Sequence, residues 1–140
     1  MAAPYVLLSQ DGQIAGFYTL SADNIQSDDL PPDLVKKLKL PRYNAFPATL
    51  IGRLARDQSL KAQGVGAILL ADALQVALET SKTIASVAVL VEAKDEKARR
   101  FYSGFGFVSF PETVNRLFIP MKTVAESLPS FQSQPAPFYF

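Results

Sequence analysis

The chain has 140 residues, 49% of them hydrophobic, and a formal net charge of +1 at pH 7, so it supports one hydrophobic core of ordinary size and excludes a second domain. The sequence contains no cysteine and no histidine, which excludes disulfides, a thiol nucleophile and most zinc sites, and we therefore expect no metal centre. No secretion signal begins the chain and no apolar run reaches the roughly 18 residues that span a membrane, so we expect a cytoplasmic protein.

A tight hairpin is predicted at the start of the chain. Residues 5–9 and 13–20 are strand-like and flank Asp11-Gly12, a dipeptide typical of hairpin turns. Residues 21–29 are polar and predict an irregular connection.

A short helix and another strand follow. Pro31 and Pro32 suit the first turn of a helix that ends before Pro41. Residues 48–55 are predicted as a strand in which Gly52 marks a bulge or a close approach of the backbone.

The segment from Leu60 to Leu70 is the most informative part of the sequence. It carries Gly64 and Gly66 where a strand leads into a long apolar helix, predicted over residues 65–80. The first N–H groups of such a helix have no intrahelical partner and the helix dipole adds about half a positive charge there, so the junction can bind phosphate. Glycines without Cβ atoms let a diphosphate approach the main chain.

This glycine loop has other interpretations. If no further motif supported a phosphate site, an ordinary glycine-containing turn before a core helix would be the favoured interpretation. The Rossmann fingerprint needs a third glycine where this chain has Leu69, and no Walker sequence occurs. A dinucleotide fold and a nucleoside triphosphatase therefore have no motif support.

The pattern after this helix predicts a central strand and a second helix. Residues 84–91 are apolar and rich in β-branched side chains, which is typical of a strand covered on both faces. Asp95 is placed to cap a short helix that runs through Tyr102, and Gly104 is placed to end it.

The last part of the chain predicts a final hairpin and a tail. Residues 107–110 and 116–121 are strand-like and flank a turn over 111–115. Residues 127–140 are rich in Ser, Pro and Gln, so we expect one domain over residues 1–126 followed by a C-terminal tail.

Besides the glycine loop, five short blocks characterise the sequence between residues 5 and 126. They are Leu38-Lys39-Leu40-Pro41-Arg42-Tyr43, Ile51-Gly52-Arg53-Leu54-Ala55-Arg56-Asp57, Ala93-Lys94-Asp95, Phe101-Tyr102-Ser103-Gly104-Phe105-Gly106-Phe107 and Leu117-Phe118-Ile119-Pro120-Met121-Lys122. In this order and spacing, the blocks resemble the GNAT family of N-acetyltransferases. The resemblance is closest to the acetyltransferase toxins of bacterial type II toxin–antitoxin systems.

The resemblance implies an α/β fold with a mixed, mostly antiparallel central sheet and flanking helices. The sheet would be splayed between the strands around Gly52 and Val89. Relatives also carry a first strand and one or two helices before the hairpin that begins here near Tyr5, and those helices form one wall of the acceptor groove. We expect these elements to be missing, so that the first strand is dispensable, another subunit supplies the wall, or the chain is a shortened and impaired copy.

The resemblance also implies an acetyl-CoA site at the glycine loop. The loop of the family usually opens with Gln or Arg, then glycine and Arg, whereas this chain has Lys61, Ala62 and Gln63. Main-chain N–H groups are expected to hold the pyrophosphate, so binding should persist despite these changes. The cofactor-binding positions carried over from the family are Leu54, Ala55, Lys61, Ala62, Gln63, Gly64, Val65, Gly66, Ala67, Lys94 and Phe101.

Tyr102 stands where the family places the acid that protonates the coenzyme A thiolate. A phenol with a pKa near 10 can donate to a thiolate with a pKa near 8.5 when the two lie within hydrogen-bond reach. The alternative is a packed aromatic side chain in the pair Phe101-Tyr102. No other obvious acid–base residue competes, so the proton of the amine would leave to water or to a backbone carbonyl.

A basic segment precedes and enters the glycine loop. Its only acid is Asp57, and its cations are Lys36, Lys37, Lys39, Arg42, Arg53, Arg56 and Lys61. Such a segment either holds the phosphates of RNA or forms a solvated surface. With the toxin resemblance it implies aminoacyl-tRNA as the acceptor, and the positions assigned to RNA are Lys36, Lys37, Arg42 and Arg53.

Three classes of function remain from the sequence. The chain is a toxin that acetylates aminoacyl-tRNA, a general acetyltransferase of a small amine or protein N-terminus, or a non-catalytic coenzyme A-binding module. The toxin resemblance further implies a ribbon-helix-helix antitoxin as a partner and a homodimer.

Overall fold

The computed structural model describes residues 2–37, 39–40, 44–56 and 64–132. Its strands are β1 Ala3–Leu8, β2 Ile14–Gln26, β3 Ala45–Arg56, β4 Ala88–Glu92, β5 Val108–Phe110 and β6 Thr113–Pro120. Its helices are α1 Pro32–Lys37, α2 Val65–Ile84, α3 Glu96–Gly104 and α4 Met121–Gln132. A 3₁₀ turn, Ser27–Asp29, lies between β2 and α1.

The strands form one sheet in the order β1-β2-β3-β4-β6-β5. All neighbours pair antiparallel except β3 and β4, which are parallel because α2 lies between them in the chain and crosses over. The mixed, mostly antiparallel sheet with flanking helices predicted from the sequence is confirmed. Within the described ranges, no helix combines the length and the apolar character that crossing a membrane requires.

β4 is the central strand and is covered on both faces, as its apolar sequence predicts. Val89 and Val91 belong to the larger core, to which α2, α3 and α4 contribute. Ala88 and Leu90 alternate with them and belong to the smaller core, against which α1 packs. The sheet therefore separates two layers, and the helices are positioned relative to β4.

The first hairpin is longer than the sequence predicts. Gly12 has the positive φ of 84° that its turn requires, so the predicted turn at Asp11-Gly12 is confirmed. The predicted connection over residues 21–29 is wrong over its first part, because β2 continues to Gln26 and pairs with β3 as far as Ala45. Cross-strand pairing, which the polar composition of this segment does not reveal, keeps it extended.

Other helix and strand boundaries differ from the sequence prediction because of contacts between distant parts of the chain. The predicted strand over residues 84–91 begins too early, since α2 runs through Ile84 and Ala85 ends it in a left-handed conformation with a φ of 54°. The prediction that Met121 ends a strand is wrong, because Met121 begins α4, which buries Met121 and Val124 in the larger core. α4 extends through residues 127–132, so the predicted tail is helical where it starts, and residues 133–140 lie outside the described part of the chain.

Gly16 on β2 is a point of close contact that the sequence pattern does not single out. A Cβ atom built on Gly16 would lie 2.6 Å from Leu69 Cδ1 and 2.7 Å from the carbonyl oxygen of Ala55. Neither distance is tolerated between real atoms, and the second one involves backbone. The absence of a side chain at Gly16 therefore lets β2 approach the first turns of α2.

We predict that Gly16→Ala lowers the free energy of unfolding by about 1–3 kcal/mol, because the new methyl group overpacks this contact. Gly104→Ala is the matched control, since nothing lies within 4 Å of a Cβ at Gly104 and alanine favours a helical position. Urea denaturation of both variants checks the prediction. Equal stability of Gly16→Ala and the unmodified protein would contradict it.

Candidate active site

The parallel strands β3 and β4 separate at one end of the sheet. Their pairing covers Thr49 with Val89, Leu50 with Leu90 and Ile51 with Val91. β3 then continues to Arg56, and β2 is its only strand partner there among the described residues. The splay predicted between the strands around Gly52 and Val89 is thus confirmed, and on β3 it begins at Gly52. The separation leaves a gap beside the last five residues of β3.

A β-bulge at Gly52 marks the start of this gap. Thr19 pairs with Arg53 and the next residue of β2, Leu20, pairs with Ile51, so Gly52 has no opposite partner in the ladder. Thr19 Oγ1 accepts a hydrogen bond of 3.0 Å from the backbone N–H of Arg53. A Cβ on Gly52 would lie 2.9 Å from that same oxygen, so both the bulge and the close approach predicted from the sequence are confirmed.

The N-terminus of α2 is the next described part of the chain after β3. Gly64 is the N-cap residue with a φ of 71°, a left-handed conformation that glycine adopts without strain, and it offers no side chain as a cap. The first intrahelical bond runs from the N–H of Ile68 to the carbonyl of Gly64, so the N–H groups of Val65, Gly66 and Ala67 have no carbonyl of their own helix to bind. These groups and the helix dipole can hold an anion.

Phe101 on α3 packs against this first turn of α2. A Cβ built on Gly66 would be 3.5 Å from Phe101 Cζ, an ordinary van der Waals distance. The fold therefore has room for a methyl group at Gly66. Packing within the protein does not require glycine there, whereas a ligand at the helix N-terminus could come closer to the backbone of a glycine. The contact places α3 beside the N-terminus of α2.

α3 begins and is capped as the sequence predicts. Asp95 Oδ1 accepts a hydrogen bond of 2.8 Å from the N–H of Ala98. The helix ends at Gly104, as expected, although the glycine with a positive φ is Gly106, at 103°. The Asp95 cap fixes the start of α3 and the turn at Gly106 follows its end, so the position of Tyr102 in the last turn of the helix is fixed.

The Tyr102 side chain is buried, with an exposed fraction of 9%. Its ring packs edge-on against Phe101 and Phe107, with ring centroids 5.4 and 5.5 Å away. This burial raises the pKa of the Tyr102 phenol above its usual value near 10. The shift disfavours the phenolate form, and burial is its cause.

The other predicted cofactor positions are distributed around the gap. Leu54 is half-buried and Ala55 is exposed, both on the part of β3 that β4 does not pair. Lys94 is exposed just before α3. Lys61, Ala62 and Gln63 lie outside the described residues.

The basic residues assigned to RNA lie on the opposite side of the sheet from α2, as far as they are described. Lys36 and Lys37 are exposed on α1, which packs against the smaller core. Leu54 packs against the larger core, so its neighbour Arg53, which is exposed, points to the side of the sheet that α1 covers. Arg42 lies outside the described residues.

Thr19 is a site residue that the sequence pattern does not indicate. Its hydroxyl group holds the bulge at Gly52, and only the strand register brings these two distant residues together. A threonine in a predicted strand carries no signal for such a role.

The chain matches known proteins in sequence and in structure. The model of the acetyltransferase (GNAT) family matches residues 2–107. A tRNA-acetylating toxin of Mycobacterium tuberculosis is 32% identical over 113 residues, which cover 81% of this chain and 66% of that relative. This chain therefore spans about two thirds of the relative's length.

Two solved structures of a toxin are similar over most of the chain. AtaT complexed with acetyl-methionyl-tRNAfMet is 35% identical with a TM-score of 0.79, and the match covers 89% of this chain and 74% of AtaT. A tyrosine-to-phenylalanine mutant of AtaT, bound to the C-terminus of the antitoxin AtaR and acetyl-CoA, is 31% identical with a TM-score of 0.71. That match covers 89% of this chain and 70% of the mutant.

We predict that Tyr102 titrates above the pKa near 10 of a free phenol, because its burial disfavours the charged phenolate. The measurement is a pH titration by NMR of protein labelled with ¹³C at the tyrosine ζ position. Tyr102→Phe identifies the signal by removing it. A midpoint below 10 for that signal would contradict the burial argument.

Proposed function

Because the chain belongs to the acetyltransferase (GNAT) family, we propose that it transfers the acetyl group of acetyl-CoA to the amino group of an aminoacyl-tRNA and so blocks translation as a toxin. The observation that carries this proposal is the gap between β3 and β4. At one end it has the N–H groups of α2 that lack a partner within the helix, and α3, which bears the buried Tyr102, packs beside that end.

The described residues fit acetyl-CoA. The N–H groups of Val65, Gly66 and Ala67 are donors for the pyrophosphate, and the left-handed Gly64 turns the chain so that they point out of the helix end. Leu54 and Ala55 offer the unpaired backbone edge of β3 to the pantetheine arm. The bound cofactor supplies the acetyl thioester. The acetyl-CoA held by the AtaT mutant supports this assignment.

Tyr102 is the general acid in this proposal. A phenol with a pKa near 10 is protonated at neutral pH, and Oη donates that proton to the departing sulfur. Phe101, which contacts Gly66, keeps α3 against the phosphate-binding turn. Since the chain has no histidine or cysteine, water or a backbone carbonyl receives the proton of the amine.

The acceptor reaches the gap from the side of the sheet that α1 covers. Lys36, Lys37 and Arg53 present positive charge on that side, where they attract the phosphates of RNA. The activity named for the Mycobacterium tuberculosis relative and the acetyl-methionyl-tRNA bound by AtaT support aminoacyl-tRNA as the substrate. Aminoacyl-tRNAs are used at the ribosome, so we place the activity in the cytoplasm.

The proposal extends to a protein partner. The AtaT mutant bound to the C-terminus of the antitoxin AtaR supports an antitoxin that neutralises this chain, and we expect its remaining part to be a ribbon-helix-helix module. We also propose a homodimer and one catalytic domain over residues 1–126. Size-exclusion chromatography with light scattering, alone and with the antitoxin, tests both assemblies.

We predict that Gly66→Glu abolishes acetyl-CoA binding in calorimetry, because a carboxylate at the α2 N-terminus repels the pyrophosphate and fills its place. Gly104→Glu is the matched control, since it adds the same charge at an exposed helix end where nothing lies within 4 Å of a Cβ. Unchanged affinity in folded Gly66→Glu would remove the cofactor assignment.

Tyr102→Phe should lower the turnover number by about 10²-fold or more, the usual effect of losing a general acid. The affinity for acetyl-CoA should stay unchanged because the ring remains packed against Phe101 and Phe107. Steady-state kinetics with charged tRNA, followed by mass spectrometry of the product, measures both quantities. Full activity of the variant would assign the protonation of sulfur to water or to another residue.

Replacing Lys36 and Lys37 together by alanine should weaken tRNA binding. The slope of log K against log salt should fall by about one for each RNA phosphate that the variant no longer neutralises. Lys82 and Lys122, both exposed on other helices, give a control variant with the same change in net charge. Filter binding over a salt series compares the two. If no acetylated product forms from charged tRNAs while the protein binds acetyl-CoA, the tRNA substrate is wrong.

A further inference from the structure

Among the described residues, β2 is the only strand that supports the separated part of β3. Beyond Ile51, β3 no longer pairs with β4, and Leu54 pairs with Tyr18 while Arg56 pairs with Gly16. The position of the β3 edge that faces the gap therefore depends on how β2 is held. A shift of β2 would carry this edge with it.

Two contacts hold β2 against α2. Gly16 packs so closely on Leu69 that no side chain fits between them. Two residues later, Tyr18 Oη donates a hydrogen bond to Oδ2 of Asp72 on α2. The contacts lie on the same face of β2, because alternate residues of a strand share a face.

Burial and ring stacking restrict the side chain of Tyr18, which donates the hydrogen bond to Asp72. The Tyr18 side chain has an exposed fraction of 0%, and Tyr5 stacks on its ring with centroids 5.0 Å apart and planes inclined by 10°. Burial raises the pKa of the Asp72 carboxyl, which the hydrogen bond from Tyr18 opposes. Glu79, farther along α2, acts on the pKa of Asp72 in the same direction as burial.

The bond joins β2, which pairs with the separated part of β3, to α2, whose N-terminus lies at one end of the gap. Tyr18 lies opposite Leu54 in the ladder, and Asp72 lies about two turns after the free N–H groups at the start of α2. In the proposed function the β3 edge carries the pantetheine arm and the N-terminus of α2 carries the pyrophosphate. Their separation must match the distance between these two parts of one ligand.

We propose that Tyr18 and Asp72 are a positioning pair whose hydrogen bond sets the separation between the β3 edge and the N-terminus of α2, and thereby the affinity for acetyl-CoA. This inference rests on the proposed function, since it assigns the β3 edge and the N-terminus of α2 to the same cofactor. Neither residue touches the reacting atoms.

The test compares variants that differ in one hydroxyl group. Tyr18→Phe should raise the dissociation constant of coenzyme A and the KM for acetyl-CoA by roughly three- to tenfold, the range expected for one missing hydrogen bond. The turnover number at saturating acetyl-CoA should change less than about twofold, because the pair does not take part in the chemical step. Tyr5→Phe is the matched control, because it removes a hydroxyl from the stacked ring and should leave both constants unchanged. Asp72→Asn keeps an acceptor oxygen, so its dissociation constant and KM should stay close to those of the unmodified protein.

A double variant separates positioning from stability. Tyr18→Phe combined with Asp72→Leu replaces both polar partners by apolar groups of similar size, so the free energy of unfolding should recover. The affinity for coenzyme A should remain weak because the bond that sets the distance is absent. This variant also provides the readout if Tyr18→Phe alone does not fold.

Two results would overturn the inference while leaving the proposed function intact. One is an affinity of Tyr18→Phe equal to that of Tyr5→Phe. The other is an affinity that recovers together with stability in the double variant, which would mean that the pair acts through folding alone. Failure of the unmodified protein to bind coenzyme A would instead overturn the proposed function, and this inference with it.

Discussion

The structure depends on where the parallel pairing of β3 and β4 stops. At its base the two strands are tied together, because Thr49 Oγ1 donates to Ser86 Oγ at 3.0 Å and the Ser86 hydroxyl group donates to the carbonyl of Ala88 at 3.1 Å. All these groups are buried, so breaking the network would leave polar atoms without partners. The parallel pairing covers only three residue pairs from Thr49 onward, and at the bulge at Gly52 β3 separates from β4. A sheet that is closed at one end and open at the other is the result.

The open end brings together two kinds of polar group that the rest of the fold would not tolerate unpaired. The start of α2 presents N–H groups with no helical partner, and the free edge of β3 presents backbone groups that no described strand pairs. A single elongated ligand that contains phosphate and amide groups can satisfy both. Next to Phe101 on α3, Tyr102 is a buried phenol whose pKa is raised by that burial. In the proposed function, the backbone therefore binds the cofactor and one side chain donates the proton.

Features that depend on a few neighbouring residues could be predicted from the sequence. The hairpin turn at Gly12, the start of α1 at Pro32 and the cap at Asp95 follow from backbone angles or from a bond over three residues. The apolar run around β4 indicated a strand covered on both faces, because burial on both faces leaves no polar alternation. The family follows from the order and spacing of several such local motifs.

Contacts between distant parts of the chain determined the secondary structure and the hydrogen bonds that local sequence patterns do not predict. The polar residues 21–26 became strand because β3 pairs with them, and α4 formed because Met121 and Val124 bury against the larger core. The hydrogen bond between Tyr18 and Asp72 joins residues 54 positions apart, so no window of sequence contains both. The chain itself determined the turns, the caps and the glycine loop, since these need only neighbouring residues. The register, the end of β3–β4 pairing and the width of the gap came from the packed sheet, because they depend on distant segments meeting.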